Sequence, residues 1–190
     1  AEIVAAAGRL RVEEIDGKPY GTGGYETWGA SGLTGVWAEE NTRDALYRAF
    51  RRKETFATSG PRMQIRLFGG YAFEEPMLTQ ADMLSQAYAS GVSMGGELLA
   101  EDGGVPTLIV WATRDPESAP LQRLQIIKGW TVDGEHHEQV YDVACSDGGT
   151  LDPSTHRCPD NGASVDLSNC SITTGVGAGE LKTVWRDPDF

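Results

Sequence analysis

Trp28–Gly70, WGASGLTGVWAEENTRDALYRAFRRKETFATSGPRMQIRLFGG, is the stretch around which the rest of the chain is arranged. It opens as a glycine-rich loop, passes an acidic pair at Glu39-Glu40, and then reads as a helix from Thr42 to Lys53. Asn41 or Thr42 serves as N-cap, and Asp44 lies in the first turn, where the helix dipole favours an anion. Ala45, Leu46, Ala49 and Phe50 recur at helical spacing and predict one buried stripe. Arg51, Arg52 and Lys53 close the helix at its negative end. Thr55–Thr58 then reads as a short strand and Ser59-Gly60-Pro61 as a turn, because Pro61 fixes its own φ and biases Gly60 away from the helical region. Met63, Ile65 and Leu67 alternate with Gln64, Arg66 and Phe68, which predicts a second strand.

Upstream, the pattern suggests a helical turn at Ile3–Ala7, a strand at Arg9–Ile15 and a turn at Asp16-Gly17. Gly21, Gly23 and Gly24 fit neither phosphate-cradling glycine frame and read as a loop. Downstream, Thr79 with Asp82 three residues on resembles a capping box, opening a helix to Ser90 with Met83, Leu84, Ala87 and Tyr88 as its stripe and Gly91 as its stop. From Val105 the chain turns to strands. Thr107–Thr113 is a continuous apolar run, Leu121–Trp130 and Glu138–Cys145 alternate on either side of Asp133-Gly134, and Leu181–Trp185 is the last. The fold class is α+β, with an antiparallel sheet or sandwich after Gly70.

Composition narrows the function. A chain of 190 residues with 23% charged side chains can bury a core of its own. No apolar run reaches the roughly 20 residues that cross a bilayer as a helix. A net charge of −12 argues against nonspecific association with nucleic acid or anionic lipid. The basic residues gather between positions 41 and 66, which reads as a solvated face opposite an acidic C-terminal half. Cys145, Cys158 and Cys170 show no zinc spacing. A bond between Cys145 and Cys158 would staple a loop rich in Gly, Asp and Pro, and such bonds persist in oxidising compartments. A periplasmic or extracellular location is expected, with Cys170 left to find a partner.

The chemistry-bearing residues are few. His136 and His137 are adjacent, would point to opposite sides of a strand, and read as part of an exposed hairpin turn. Asp147, Asp152, Asp160, Asn161 and Asp166 offer hard oxygen ligands without the EF-hand register, so a stapled, solvated loop is the plainer reading and a calcium site the alternative. Glu39-Glu40 can serve acid–base work or simply favour the helix N-terminus. Ser59 sits in no nucleophile elbow and reads as a turn residue. Trp111 and Trp130 lie in alternating apolar runs and read as core, with an exposed carbohydrate-contacting role as the alternative.

Three strings, WGASGLTGVWAEENTRDALYRAFRRKETFATSGPR, GVSMGGEL and TLIVWATRDPESAPLQRLQIIKGW, resemble the C-terminal part of the domain-of-unknown-function 3604 family, which is similar to the PHP-type (polymerase and histidinol phosphatase) metal-dependent hydrolases. The resemblance implies a longer parent, an exported hydrolase of phosphoester or related ester substrates. Its distorted β/α barrel would bind a cluster of divalent manganese, zinc or iron. Residues 1–70 would then be the terminal segment of that barrel and residues 71–190 a β-rich C-terminal domain. The metal ligands would lie upstream, in a missing N-terminal barrel portion. This chain alone is expected to hold no metal and to be inactive, with Trp37, Glu39, Glu40, Asn41, Arg43, Ser59 and Arg62 lining the site's mouth. Arg43 or Arg62 would grip an anionic group of a small-molecule substrate. The competing expectation is a non-catalytic β-sandwich that binds or interacts.

Overall fold

The computed structural model describes residues 11–22, 32–187 and 190. Its centre is a four-stranded antiparallel sheet formed, in spatial order, by Glu180–Arg186 (β12), Thr107–Thr113 (β7), Gln64–Gly70 (β5) and Gly91–Ser93 (β6). The α+β class therefore holds.

The sheet is covered on both sides, and the period of two along each strand assigns the residues. On one side, Phe68 and Ile109 pack with Phe73, Met77, Leu78, Met83 and Ala87. These come from a 3-10 turn at Glu75–Thr79 and from helix α2, Met83–Ser90. On the other side, Val110, Ala112 and the partly buried Leu67, Leu108, Leu181 and Trp185 meet Leu124, Tyr141 and Val143. The last three belong to a long hairpin of β8 (Arg123–Val132) and β9 (Glu135–Cys145). Two apolar layers sharing one sheet explain why TLIVWAT has no polar alternation. β5 ends at Gly70, yet it is an inner strand of the sheet that β6, β7 and β12 complete.

Helix α1 covers Arg43–Arg52, with Thr42 as N-cap accepting from the Ala45 N–H. It ends on Lys53 in the left-handed region, and the Glu54 N–H reaches back to the Ala49 carbonyl, a Schellman-type closure. Its stripe differs from expectation: Ala45 and Ala49 are buried and Leu46 half-buried, but Phe50 is 52% exposed, next to Tyr47 off the stripe at 63%. The small alanines seat the backbone close to β3 (Thr34–Val36), which pairs with β4 (Thr55–Ala57). The large residues turn outward.

Other boundaries shift too. Thr79 caps nothing: it closes the 3-10 turn by donating its hydroxyl to the Pro76 carbonyl, and α2 starts four residues later. Gly91 is extended and begins β6, so the helix runs straight into a strand with no left-handed stop. Asp133 and Gly134 both take positive φ, 52° and 84°, as a two-residue type I′ hairpin requires. His136 and His137 lie just past that turn, within β9, and both are exposed. β1 (Arg11–Ile15) and β2 (Lys18–Thr22) form a hairpin through Asp16-Gly17, so Gly21 lies in a strand. Ile3–Ala7, Gly23 and Gly24 fall outside the described residues. A small hairpin of β10 (Val165–Asp166) and β11 (Ser171–Ile172) completes the strands.

Cys145 and Cys158 form a disulfide, and Cys170 is a free, exposed thiol. The Asp142 side chain is wholly buried beside the bond. It accepts from the Cys158 N–H at 2.7 Å, the Gln125 amide at 2.7 Å and Arg157 Nη1 at 3.3 Å, with Arg123 Nε at 3.7 Å. Burial pushes this carboxyl up, but those donors outweigh it and the net position is below the usual carboxylate range.

Candidate functional site

The left-handed turn at Lys53 that closes α1 delivers Glu54 to a buried position, with 3% of the residue exposed, and a carboxylate there must be paired. The pairing comes from Arg52, whose Nη2 and Nε lie 3.0 and 3.2 Å from Glu54 Oε2. The same Nη2 reaches Glu39 Oε1 at 3.1 Å. Glu54 foremost, with Glu39 beyond it, holds the Arg52 guanidinium even more firmly protonated than usual.

Across from this triad stands a second arginine, on β5. β6 pairs with Phe68, Gly69 and Gly70 and the Met94 N–H reaches the Leu67 carbonyl; further back, among the described residues, no strand continues along that edge of β5. Trp37 fills that edge: its Nε1 donates to the Ile65 carbonyl at 2.8 Å, satisfying a backbone acceptor. The indole then lies flat under Arg66, with the guanidinium carbon 3.8 Å from the ring centroid. Arg66 Nη1 is 3.4 Å from the Tyr88 hydroxyl of α2. Burial, then the nearby Glu54 charge, raises the Tyr88 pKa, and Arg66 opposes both.

Together these groups line an open cleft of about 800 Å³, walled by Trp37, Glu39, Arg52, Arg66, Tyr88 and Ser93. Chemically it offers two guanidinium groups, one engaged twice by carboxylates and one not, beside a phenol held neutral. This can orient an anionic or hydrogen-bonding ligand. Glu39 and Glu54 are both committed to Arg52.

Of the residues singled out from the sequence, Trp37 and Glu39 reach this cleft. Glu40 Oε1 accepts from the Thr42 hydroxyl, supporting the helix start. Asn41 and Arg43 line a separate depression along α1 with Tyr47 and Phe50. Ser59 is exposed in its turn, and Arg62 gives its backbone N–H to Asp115 Oδ2 at 2.7 Å. Arg52, Glu54, Arg66 and Tyr88 were missed. Arg66 occupied a polar slot in an alternating strand, a pattern shared with any solvated arginine.

The aspartates of the C-terminal loop close turns. Asp152 accepts from the Ser154 N–H and hydroxyl, Asp166 from those of Ser168, Asp160 from the Gly162 N–H, and Asp147 from the Gly177 N–H and Ser146 hydroxyl. Among the described residues no group of three or more His, Cys, Asp or Glu is arranged to hold a metal ion. The described side chains thus do not by themselves assemble the ligand set of a divalent cluster.

Fold and cleft define an α+β chain whose sheet lies between helical turns and a disulfide-anchored hairpin, with an arginine-bearing groove at one corner. The chain belongs to the family described as "Protein of unknown function (DUF3604)", which it matches over residues 5–190. No curated protein and no solved structure matches it.

Proposed function

We propose that this chain is the C-terminal portion of an exported, PHP-like metal-dependent hydrolase acting on a phosphoester or related ester. In this reading it supplies part of the substrate-binding rim, and another segment supplies the metal. The observation that carries the reading is the divided surface of α1. One side carries Arg52 to the cleft, which Glu54 enters from the turn that closes the helix, while the other leaves Tyr47 and Phe50 exposed beside Leu46. Exposed apolar rows rimmed by polar groups mark surfaces built to be covered, and a barrel's missing helices and strands would cover this one. The disulfide is compatible with export, and no helix among the described residues is long and apolar enough to cross a membrane.

In such a protein the metals would lower the pKa of bound water to generate hydroxide. This chain's own residues would position the substrate: Arg52, fixed by two carboxylates, and Trp37 shape the wall. The test compares hydrolysis of bis-p-nitrophenyl phosphate, with manganese, zinc or ferrous iron, by this chain and by the product of the complete reading frame. Metal-dependent turnover by the complete product alone is expected. Turnover by this chain alone would remove the claim that the ligands lie elsewhere, and none by either would remove the hydrolase.

A second reading, a binding module, draws on Trp130. It is 38% exposed on the β8–β9 hairpin, stacked on His137 at 5.4 Å with Lys128 Nζ at 5.3 Å, an aromatic platform open to a sugar face. A glycan array with Trp130→Ala as control decides it.

A further inference from the structure

The geometry points to an oxyanion-binding subsite centred on Arg66, in the small cavity where β5, β7 and α2 meet. It goes beyond the hydrolase reading and does not depend on it. The cavity, about 270 Å³, is lined by Trp37, Gln64, Arg66, Leu84, Trp111 and Thr113. That volume lies at the small end of ligand pockets and suits a compact group or the anionic end of a larger molecule.

Four observations converge. First, among the described residues no carboxylate pairs with Arg66; its contacts are the Trp37 ring and the Tyr88 hydroxyl. Arg52, lining the neighbouring cleft, takes two carboxylates. Second, Arg66 is held: Trp37 stacks beneath it and is itself pinned through the Ile65 carbonyl. A pre-placed guanidinium fork loses less freedom on binding and presents paired N–H donors to two oxygens. Third, the sheet register puts Arg66 beside Trp111, and Trp111 beside Lys182, whose Nζ lies 5.0 Å from the indole. A row of alternating rings and cations therefore crosses the sheet, and its second cation is shared only with Glu180 at 3.6 Å among the described residues. Fourth, Trp111 Nε1 is buried with no hydrogen-bond partner among the described residues. A buried donor left unpaired is uncommon and costs free energy, and the indole that carries it lines this cavity. Gln64 and Thr113 add polar groups at the rim. The shared chemistry is a phosphate, sulfate or carboxylate group flanked by flat apolar surfaces.

The experiment titrates the ¹⁵N-labelled 190-residue chain with inorganic phosphate, sulfate or acetate at constant ionic strength, following the tryptophan indole N–H resonances assigned by Trp37→Phe and Trp111→Phe. Saturable movement of the Trp111 and Trp37 signals by at least one anion is expected, and which anion moves them names the group. Arg66→Gln should weaken binding about tenfold or more, the cost of losing hydrogen bonds to a charged partner. Arg51→Gln, on the exposed face of α1, should leave it unchanged. If Arg66→Gln fails to fold, Arg66→Lys keeps the charge, loses the fork, and should still bind several-fold less tightly. No saturable shift with any of the three anions, or equal binding by the Arg66 variant that folds, overturns the proposal. Neither result bears on metal-dependent turnover, so the two readings fail separately.

Discussion

Replacing Cys145 and Cys158 together by alanine removes the bond that closes the loop carrying His156 and Arg157. The cysteines are 13 residues apart, and the chain-entropy relation for a loop of that length gives about 3 kcal/mol at 25 °C, through the greater freedom of the unfolded chain. For chains of this size each kcal/mol moves the melting temperature by about 2–4 °C, so a fall of roughly 6–12 °C is expected. Urea unfolding should show a lower midpoint, with a slope that is equal or larger, because the unfolded state becomes less compact. Thermal and urea melts of the double variant, each followed by circular dichroism, supply the assay. The loop keeps a second anchor, since Asp142 still accepts from the backbone N–H of residue 158. Adding Asp142→Asn should therefore cost more in the cross-link-free chain than in the parent. A melting shift below about 2 °C would refute the reasoning, because the loop would then be equally restrained in the unfolded chain without its bond.

Asp142 titrates below its unfolded value, so its stabilisation is complete above about pH 4 and is lost as pH falls through the lower folded value. Asp142→Asn should flatten the acid limb of a melting-temperature profile taken from neutral to strongly acidic pH. Glu54→Gln should cost about 2 kcal/mol by removing the charge that Arg52 grips. It should also bring the Tyr88 titration, followed by ultraviolet absorbance, downward toward the ordinary phenol range, since the Glu54 charge is part of what holds it up. Gly95→Ala should cost about 2 kcal/mol or more in urea unfolding, because Gly95 has φ +79° and an added Cβ would meet the Lys53 carbonyl oxygen. Maleimide should modify one thiol per native chain, at Cys170, and a second labelled site would contradict the disulfide.

What could be read from the sequence was local. Thr42 and Asp44 announced α1, Asp133-Gly134 announced the β8–β9 hairpin, and TLIVWAT announced a buried strand, because each depends on residues within a few positions. The start of α2 was read four residues early, because Thr79 with Asp82 imitates a capping box although Thr79 closes the 3-10 turn. β6 escaped because Gly91–Ser93 is three residues long and carries no repeat. The exposure of Phe50 was hidden for a different reason. Helical spacing says which side chains share a face, and only packing says whether that face is covered. The cleft shows the same limit: Trp37 and Glu39 stood out, whereas Arg52, Glu54, Arg66 and Tyr88 converge from separate elements through a strand order that no local pattern encodes.

β12, the outer strand beside β7, arrives after the hairpin, the stapled loop and the β10–β11 ribbon have all been made. Its rungs with β7, from Glu180↔Thr113 to Arg186↔Thr107, are among the most distant pairings in the chain, and distant pairings slow assembly. A ribosome-bound chain that has not yet released Glu180–Arg186 therefore carries β7 with one edge bare. Until that strand has been translated, the sheet that separates the two apolar layers is one strand short.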